Sequence, residues 1–205
     1  MKISFAITVC NELNEIKKLL PFLNEHVPEE DEIVILFDEK NGDKSVINHL
    51  NEFKSTKVKI FQYFDFDNDF AKLKNTLTSY CEGDYIFQLD ADEMISSNLI
   101  HNIKNIISEN LETDLFYLSR INTVDGITSE HINKWKWNLD SNGRINFPDY
   151  QGRIHKKHLQ WYGKVHERIV GAKYYALLPS EEDFCIIHNK TISKQESQNN
   201  LYESI

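Results

Sequence analysis

The first half of this sequence alternates short apolar runs with segments of helical periodicity, and no other feature constrains the fold as strongly. The apolar runs, rich in β-branched residues, predict strands at residues 3–9, 33–37, 58–61 and 85–89. The periodic segments between and after them predict helices over residues 12–24, 43–53, 69–83 and 96–107. Strands that alternate with helices form βαβ units, so we expect an α/β fold with a mostly parallel sheet flanked by helices.

Cap and breaker residues set the expected helix ends. Polar residues suited to cap a helix precede three of these segments: Asn11, Asp69, and Ser96 or Ser97. Pro21 is expected to kink or shorten the first helix, and Gly83 suits the carboxyl end of the third.

The alternation weakens after about residue 122. Residues 114–121 predict a fifth strand, and the polar tail over residues 191–205 predicts a terminal helix. Three tryptophans lie in this less regular half: Trp135, Trp137 and Trp161. We expect short strands and long loops here that form the second wall of a cleft. Without a repeat or a linker, residues 1–205 are interpreted as one domain.

Composition and charge exclude several classes of protein. With 40% hydrophobic residues the chain can bury a core, and no apolar run approaches the roughly 20 residues of a membrane span. The net charge of −9 disfavours an extended nucleic-acid surface. The apolar stretch at the amino terminus is too short for a secretory signal, so a cytoplasmic protein is expected.

The three cysteines, Cys10, Cys81 and Cys185, are far apart in the sequence. Their odd number and spacing argue against a disulfide framework or a zinc site. We expect all three to be buried as small apolar residues.

A basic segment interrupts the acidic background. Residues 151–173 contain six lysines or arginines and one acidic residue, Glu167. Such a segment suits a small anionic ligand, although a solvated positive loop has the same composition.

Three carboxylates follow the apolar run 85–89: Asp90, Asp92 and Glu93. Carboxyl ends of buried strands are where open α/β sheets bind their ligands. Two aspartates one residue apart can face one hard cation, which completes its shell with water and substrate phosphates. We therefore interpret Asp90 and Asp92 as ligands of a divalent metal that holds a diphosphate. An acidic loop that caps the next helix is the alternative.

Other polar groups are expected near these aspartates. Residues 8–12 follow the first strand and Asp38 ends the second, so in a parallel sheet these loops converge. Asp38 suits a base N–H or a ribose hydroxyl, or is simply a turn aspartate. Lys74 and Asn75 on the third helix could reach the diphosphate, or lie on a solvated helix face.

Two later residues are candidates for catalysis and metal binding. Glu167, among positive charges, suits a general base for a hydroxyl nucleophile, or forms an internal salt bridge with Arg168 or Lys164. His188 follows a short apolar run and is either a further metal ligand or a satisfied core histidine.

Taken together, these residues resemble the family 2 glycosyltransferases of the GT-A fold, and most closely the subgroup of lipopolysaccharide core β-glucosyltransferases. The similarity is carried, in the family's order, by residues 8–12, 69–75, 83–93, 148–153, 163–167 and 187–190. The Leu-Asp-Ala-Asp-Glu block and the Gly-Lys-Val-His-Glu block are together fairly specific.

The resemblance implies an inverting, metal-dependent transfer from a nucleotide-diphosphate sugar, with UDP as the family default. The acceptor would be a hydroxyl of a glycan, a lipid-linked sugar or another molecule. Residues 1–107 would bind the nucleotide sugar, and residues 108–205 would form the acceptor side and the tail.

It also implies roles for single residues. Asp90, Ala91 and Asp92 match the Asp-x-Asp motif that binds Mn²⁺ or Mg²⁺ with the donor diphosphate, and His188 matches a late histidine that reaches the metal. The nucleotide pocket would contain Thr8, Val9, Asn11, Glu12 and Asp38. Arg153 matches an arginine near the phosphates. Glu167 would be the base, with Asp149 in reserve. The family commonly has arginine at the position of Lys74, and lysine lacks the guanidinium fork.

Two rival functions remain. A nucleotidyltransferase shares the sheet and the metal but needs a glycine-rich basic signature after the first strand, where this chain has Cys10 to Leu13. A catalytically silent module that binds nucleotide sugars would keep the pocket, and only turnover of a donor separates it from an enzyme.

Overall fold

The computed structural model describes the backbone of residues 1–203 and the side chains of residues 1–200. Its helices are α1 (Leu13–His26), α2 (Lys44–Glu52), α3 (Phe70–Tyr80), α4 (Ser97–Ser108), α5 (Ser129–Trp135) and α6 (Ile192–Glu203). Its strands are β1 (Ile3–Val9), β2 (Glu32–Asp38), β3 (Val58–Tyr63), β4 (Tyr85–Asp90), β5 (Glu93–Met94), β6 (Leu115–Asp125), β7 (Asp149–Lys156), β8 (Gln160–Tyr162), β9 (Arg168–Val170), β10 (Tyr175–Leu177) and β11 (Ile186–Thr191).

The main sheet has the strand order β3-β2-β1-β4-β7-β6-β11-β5, with β10 also paired to β6. The first four of these strands are parallel to one another, and β7 runs antiparallel to both β4 and β6. Strands β8 and β9 form a separate hairpin. The predicted α/β fold with a mostly parallel sheet is therefore confirmed.

Strand register brings three loops to one edge of the sheet. Thr8 on the central strand β1 pairs with Leu36 of β2 on one side and with Asp90 of β4 on the other. The carboxyl ends of β1, β2 and β4 consequently meet, as parallel pairing requires.

The core lies on both faces of this sheet. On one face, β1, β2 and β4 pack against α1, α2 and α4, and a second cluster packs β1 and β2 against α3. Strand β2 is buried throughout, as a strand covered by helices on both faces should be.

Two of the expected helix caps are present. The Asp69 carboxylate accepts a hydrogen bond from Lys72 N at 2.9 Å, and Ser96 Oγ accepts one from Leu99 N at 2.9 Å. The expected cap at Asn11 is wrong, because α1 begins one residue later with Glu12 at the cap position. The Glu12 carboxylate instead accepts the backbone N–H groups of Cys10 and Asn11, at 2.8 and 3.1 Å.

The expected shortening at Pro21 is also wrong. Helix α1 continues through Pro21 to His26, because the buried face of Ile16, Leu20 and Leu23 fixes the helix on both sides of the proline. A proline removes only one hydrogen bond within such a helix.

Gly83 does not end α3 as predicted. The helix ends at Tyr80, and Cys81 follows in an extended conformation. A Cβ at Gly83 would lie 2.6 Å from Ser4 N, so the glycine permits a close approach of the chain to β1.

The cysteine prediction holds for two of the three residues. Cys81 and Cys185 are buried, but Cys10 is partly exposed with its Sγ 3.9 Å from Asp38 Oδ2. Burial, with the charges of Asp38 and Glu12, raises the pKa of the Cys10 thiol to about 12.

The predicted terminal helix over 191–205 corresponds to α6, and residues 204–205 of that prediction lie outside the described part. Among the described helices, none combines the length and apolar character needed to cross a membrane.

Candidate functional site

One large cavity of about 1130 Å³ opens at the carboxyl ends of β1, β2 and β4. Its walls contain all but one of the residues that the sequence predicted for the site: Thr8, Val9, Asn11, Glu12, Asp38, Lys74, Asp90, Ala91, Asp92, Asp149, Arg153, Glu167 and His188. Trp137 and Trp161 also line the cavity. The volume slightly exceeds the roughly 300–1,000 Å³ of most small-molecule sites.

Asn75 is the exception. Its side-chain amide donates to Trp161 O at 2.9 Å and accepts from Trp161 N at 2.8 Å. Asn75 therefore fixes the β8–β9 hairpin to α3, and it lies beside a separate shallow groove.

Asp90 is held by two cations at the end of β4. Its Oδ1 lies 3.1 Å from Lys74 Nζ, and its Oδ2 lies 3.3 Å from Arg153 Nη2. The Thr8 hydroxyl donates to Oδ1 at 3.3 Å. Burial alone would raise the pKa of Asp90, but the adjacent Lys74 and Arg153 hold it well below its usual range.

A buried glutamate lies beneath Asp90. Glu93 Oε1 lies 2.5 Å from Arg153 Nη2 and 3.5 Å from Arg120 Nη1, and Glu93 Oε2 accepts the Asp90 N–H at 3.0 Å. The third carboxylate of the motif thus orients the arginine and the backbone that position Asp90.

Asp92 faces a second group of cations. Its Oδ2 lies 3.4 Å from His188 Nε2, 3.2 Å from Lys194 Nζ and 3.9 Å from Lys190 Nζ. Although burial alone would raise the pKa of Asp92, the hydrogen bond and charge of His188, with the two lysines, lower it.

Asp149 accepts hydrogen bonds from Arg120, Asn122 and Gln151. Burial alone would raise the pKa of Asp149, but these partners lower it. Because a carboxylate only accepts, the Asn122 amide nitrogen faces Asp149 and its oxygen faces His188 Nδ1, at 2.9 Å. Nδ1 of His188 therefore carries a proton, and Nε2 is the atom directed at Asp92.

Glu167 joins the first cation group. Its Oε1 lies 2.6 Å from Lys74 Nζ, which also lies 4.8 Å from the centre of the Trp161 ring. Burial alone would lower the pKa of Lys74, but Asp90 and Glu167 raise it, so an ammonium group lies between two acids. Glu167 thus forms a salt bridge, but its partner is Lys74 and not the expected Arg168 or Lys164.

Asp38 is a turn aspartate that also lies in the cavity wall. It lines the cavity, and its Oδ1 accepts the N–H groups of Lys40 and Asn41 at 3.1 and 3.3 Å, as a turn aspartate does. The Asn41 side chain donates to Oδ2 at 2.9 Å.

The basic segment 151–173 does not form one face. Arg153 and Arg168 line the cavity, whereas Lys156 pairs with Asp114 at 2.9 Å and Lys157 donates to Cys81 O. Only part of this positive charge is therefore available to a ligand.

The pair Asp92 and His188 fits a divalent cation. Two ligands at about 2.1 Å from one ion and at right angles lie about 3 Å apart, close to the 3.4 Å between Asp92 Oδ2 and His188 Nε2. The hydrogen bond from Nδ1 to Asn122 makes Nε2 the atom for a metal, which would replace the Nε2 proton that faces Asp92, as is usual for histidine ligands. Among the described residues no group of three or more acidic, histidine or cysteine side chains is arranged as a metal site, so water or substrate oxygens would complete the shell.

Four residues of the site were not singled out from the sequence: Arg120, Asn122, Lys190 and Lys194. Arg120 and Asn122 alternate on β6, and the two lysines lie at the end of β11 and on α6. Lys190 belongs to the matched stretch 187–190 without a role assigned to it there, and no local motif marks the other three. Their roles depend on the pairing of β6 with β7 and β11, which the sequence pattern did not predict.

The fold is that of the GT-A glycosyltransferases. The sequence model described as glycosyl transferase family 2 matches residues 4–169. The chain therefore belongs to glycosyl transferase family 2.

Particular relatives are consistent with this assignment. The chain is 28% identical over 165 residues to the SPbeta prophage-derived glycosyltransferase SunS of Bacillus subtilis (strain 168), covering 80% of this chain and 34% of SunS. The structure of S. aureus TarS 1-349 in complex with UDP-GlcNAc superposes with a TM-score of 0.65 at 15% identity, over 93% of this chain and 59% of that one. A TarS 1-349 complex with UDP is similar, with a TM-score of 0.65 at 15% identity over 92% and 60%. The chain spans about one third of the length of the curated relatives it matches.

Proposed function

We propose that this chain is a metal-dependent, inverting glycosyltransferase that moves a sugar from a nucleotide-diphosphate donor to an acceptor hydroxyl. One observation carries the proposal: Asp90 and Asp92, at the end of β4, face the same cavity as the ends of β1 and β2. Membership of glycosyl transferase family 2 supports it.

The donor would lie across the sheet edge. Thr8, Val9, Asn11, Glu12 and Asp38 would contact the base and ribose, and Ala91 with the flanking aspartates would lie at the diphosphate. UDP is the proposed nucleotide, since TarS, a protein of the same fold, has been crystallised with UDP and with UDP-GlcNAc. In this proposal residues 1–107 bind the donor and residues 108–205 form the acceptor side.

Asp92 and His188, with Asp90 nearby, are the proposed ligands of Mn²⁺ or Mg²⁺. A divalent ion bound there would neutralise charge on the leaving diphosphate. Lys74 and Arg153, both within 3.3 Å of Asp90, would contribute further positive charge beside the phosphates. Asn75 is proposed to act indirectly, by holding Trp161 and the hairpin.

Glu167 is the proposed general base. It would take the proton of the acceptor hydroxyl as the new bond forms between that oxygen and the anomeric carbon, opposite the diphosphate. The bond from the anomeric carbon to the diphosphate oxygen breaks, and the electron pair leaves with the nucleotide. Asp149 is the weaker candidate, because three side chains donate to it and lower its pKa.

The acceptor is proposed to be a hydroxyl of a glycan or a lipid-linked sugar, in keeping with the resemblance to lipopolysaccharide core β-glucosyltransferases. Trp137, which is partly exposed and lines the cavity, offers an apolar surface for a sugar ring.

A thermal-shift panel of nucleotide sugars, with and without Mn²⁺, tests the proposal. A bound donor raises the melting temperature by mass action, so one stabilising compound identifies the donor. That compound is then assayed for release of its nucleotide. Stabilisation without turnover in the presence of candidate acceptors would favour a binding module, and no stabilisation by any nucleotide sugar would contradict the proposal.

A further inference from the structure

The last helix brings a lysine into the metal and diphosphate region. Lys194 of α6 lines the cavity, with Nζ 3.2 Å from Asp92 Oδ2 and 3.3 Å from Glu15 Oε1 on α1. Its side chain is 33% exposed and belongs to the cavity wall.

Helix α6 is positioned by polar contacts. Residues 193–200 contain no apolar side chain, so this stretch has no hydrophobic stripe to bury. Instead, Lys190 donates to Gln198, Glu196 lies 3.6 Å from His131 Nε2, and Lys194 pairs with Asp92 and Glu15. Four further polar residues of the helix line the cavity: Gln195, Ser197, Gln198 and Asn199.

The position of Lys194 suits a phosphate contact. A lysine ammonium has three N–H donors, and the two described partners are carboxylates on separate elements, α1 and the loop after β4. Glu15 and Asp92 together fix the position of the Lys194 ammonium group. A diphosphate that binds next to Asp92 therefore comes within reach of a cation already in place, with a further donor to offer.

We propose that Lys194 is a binding residue for the donor diphosphate, supplied by the carboxyl-terminal helix. The inference rests on the proposed function, because it assumes a nucleotide-diphosphate donor at Asp90 and Asp92. It goes beyond the residues that carry the family resemblance, the last of which is Lys190.

The test compares UDP with uridine, which lacks both phosphates, as ligands in calorimetric titrations with Mn²⁺ present. Lys194→Met keeps the aliphatic stem and the helix propensity but removes the charge. We expect its affinity for UDP to fall about tenfold or more, as loss of one charge-assisted hydrogen bond implies, and its affinity for uridine to stay unchanged. Lys194→Arg should keep most of the UDP affinity.

Lys18→Met is the matched control, since Lys18 is an exposed lysine of α1 that is not among the cavity residues. Unchanged UDP affinity in Lys194→Met would overturn the role of Lys194 and leave the proposed function standing. Equal losses of UDP and uridine would also overturn it, because Lys194 would then only hold the helix. If the wild-type protein binds neither compound, UDP is not part of the donor, and both that proposal and the role of Lys194 are wrong.

Discussion

The Arg153 guanidinium and the Glu93 carboxylate form a salt bridge of 2.5 Å in which the side chains are 4% and 0% exposed. The loss of hydration of two buried ions can exceed their mutual attraction, but loss of one partner leaves the other charge buried and uncompensated. Because Arg153 also contacts Asp90, the pair connects the stability of the sheet to the position of the first aspartate of the motif.

Glu93→Gln should destabilise the fold markedly. It leaves the buried Arg153 charge with Asp90 as its remaining close acid, and removing one partner of a buried pair typically costs about 3–5 kcal/mol. Urea unfolding would measure the difference. Glu82→Gln, at an exposed glutamate that pairs with Lys2 and Lys59, serves as control and should change the stability little. Equal stability of the two variants would contradict the assigned role of Glu93.

Glu167→Gln should reduce turnover while leaving donor binding nearly intact. The amide keeps the shape but cannot accept the proton, and general bases contribute about 10²–10⁴-fold to rates. Release of nucleotide from the donor measures turnover, and the donor-induced thermal shift measures binding. Asp149→Asn is the comparison. If this variant loses more turnover than Glu167→Gln does, Asp149 is the general base.

Manganese should stabilise the wild-type protein through Asp92 and His188. We expect Asp92→Asn and His188→Ala each to abolish the rise in melting temperature on adding Mn²⁺, and excess chelator to reverse that rise in the wild type. Asp183→Asn, at an acidic residue outside the cavity, should keep the full response. If both site variants keep the Mn²⁺-induced rise in melting temperature, Asp92 and His188 are not the metal ligands.

Much of the donor side followed from local sequence patterns. Buried strands of a parallel sheet read as continuous apolar runs, and a residue at the end of such a run must lie at the carboxyl edge, so Asp38, Asp90 and Asp92 were located together. Glu167 and His188 are indicated by the basic segment and by a short apolar run, and the family resemblance adds their roles; the structure brings both to the same cavity.

The contacts of these residues could not be predicted in the same way. Lys74 was considered for the diphosphate and Glu167 for a local salt bridge, yet the two are paired across 93 positions of sequence. Asn75 turns to the Trp161 backbone because the β8–β9 hairpin packs on α3, a long-range contact without a periodic signal. Side-chain partners depend on which elements pack together, and in the second half of the chain that depends on strands of three residues.

Stability should fall as the pH decreases from neutrality, owing to His155. This histidine is fully buried with Nδ1 3.0 Å from Lys156 O, and burial lowers its pKa from 6.5 to about 4. The unfolded chain therefore binds the proton at a higher pH than the folded chain does. The contribution of neutral His155 to the free energy of unfolding is fully present above pH 6.5. It declines by about 1.4 kcal/mol per pH unit as the pH falls towards 4.

Urea unfolding at pH 7, 6 and 5 would measure this slope. His155→Asn keeps a donor near Lys156 O but does not titrate, so its free energy of unfolding should vary less over this interval, whatever its absolute value. His101→Asn, at an exposed histidine of α4, is the control and should keep the wild-type slope. An equal slope in His155→Asn and the wild type would show that other groups cause the acid sensitivity between pH 7 and 5, because the folded protein would then protonate His155 as readily as the unfolded chain.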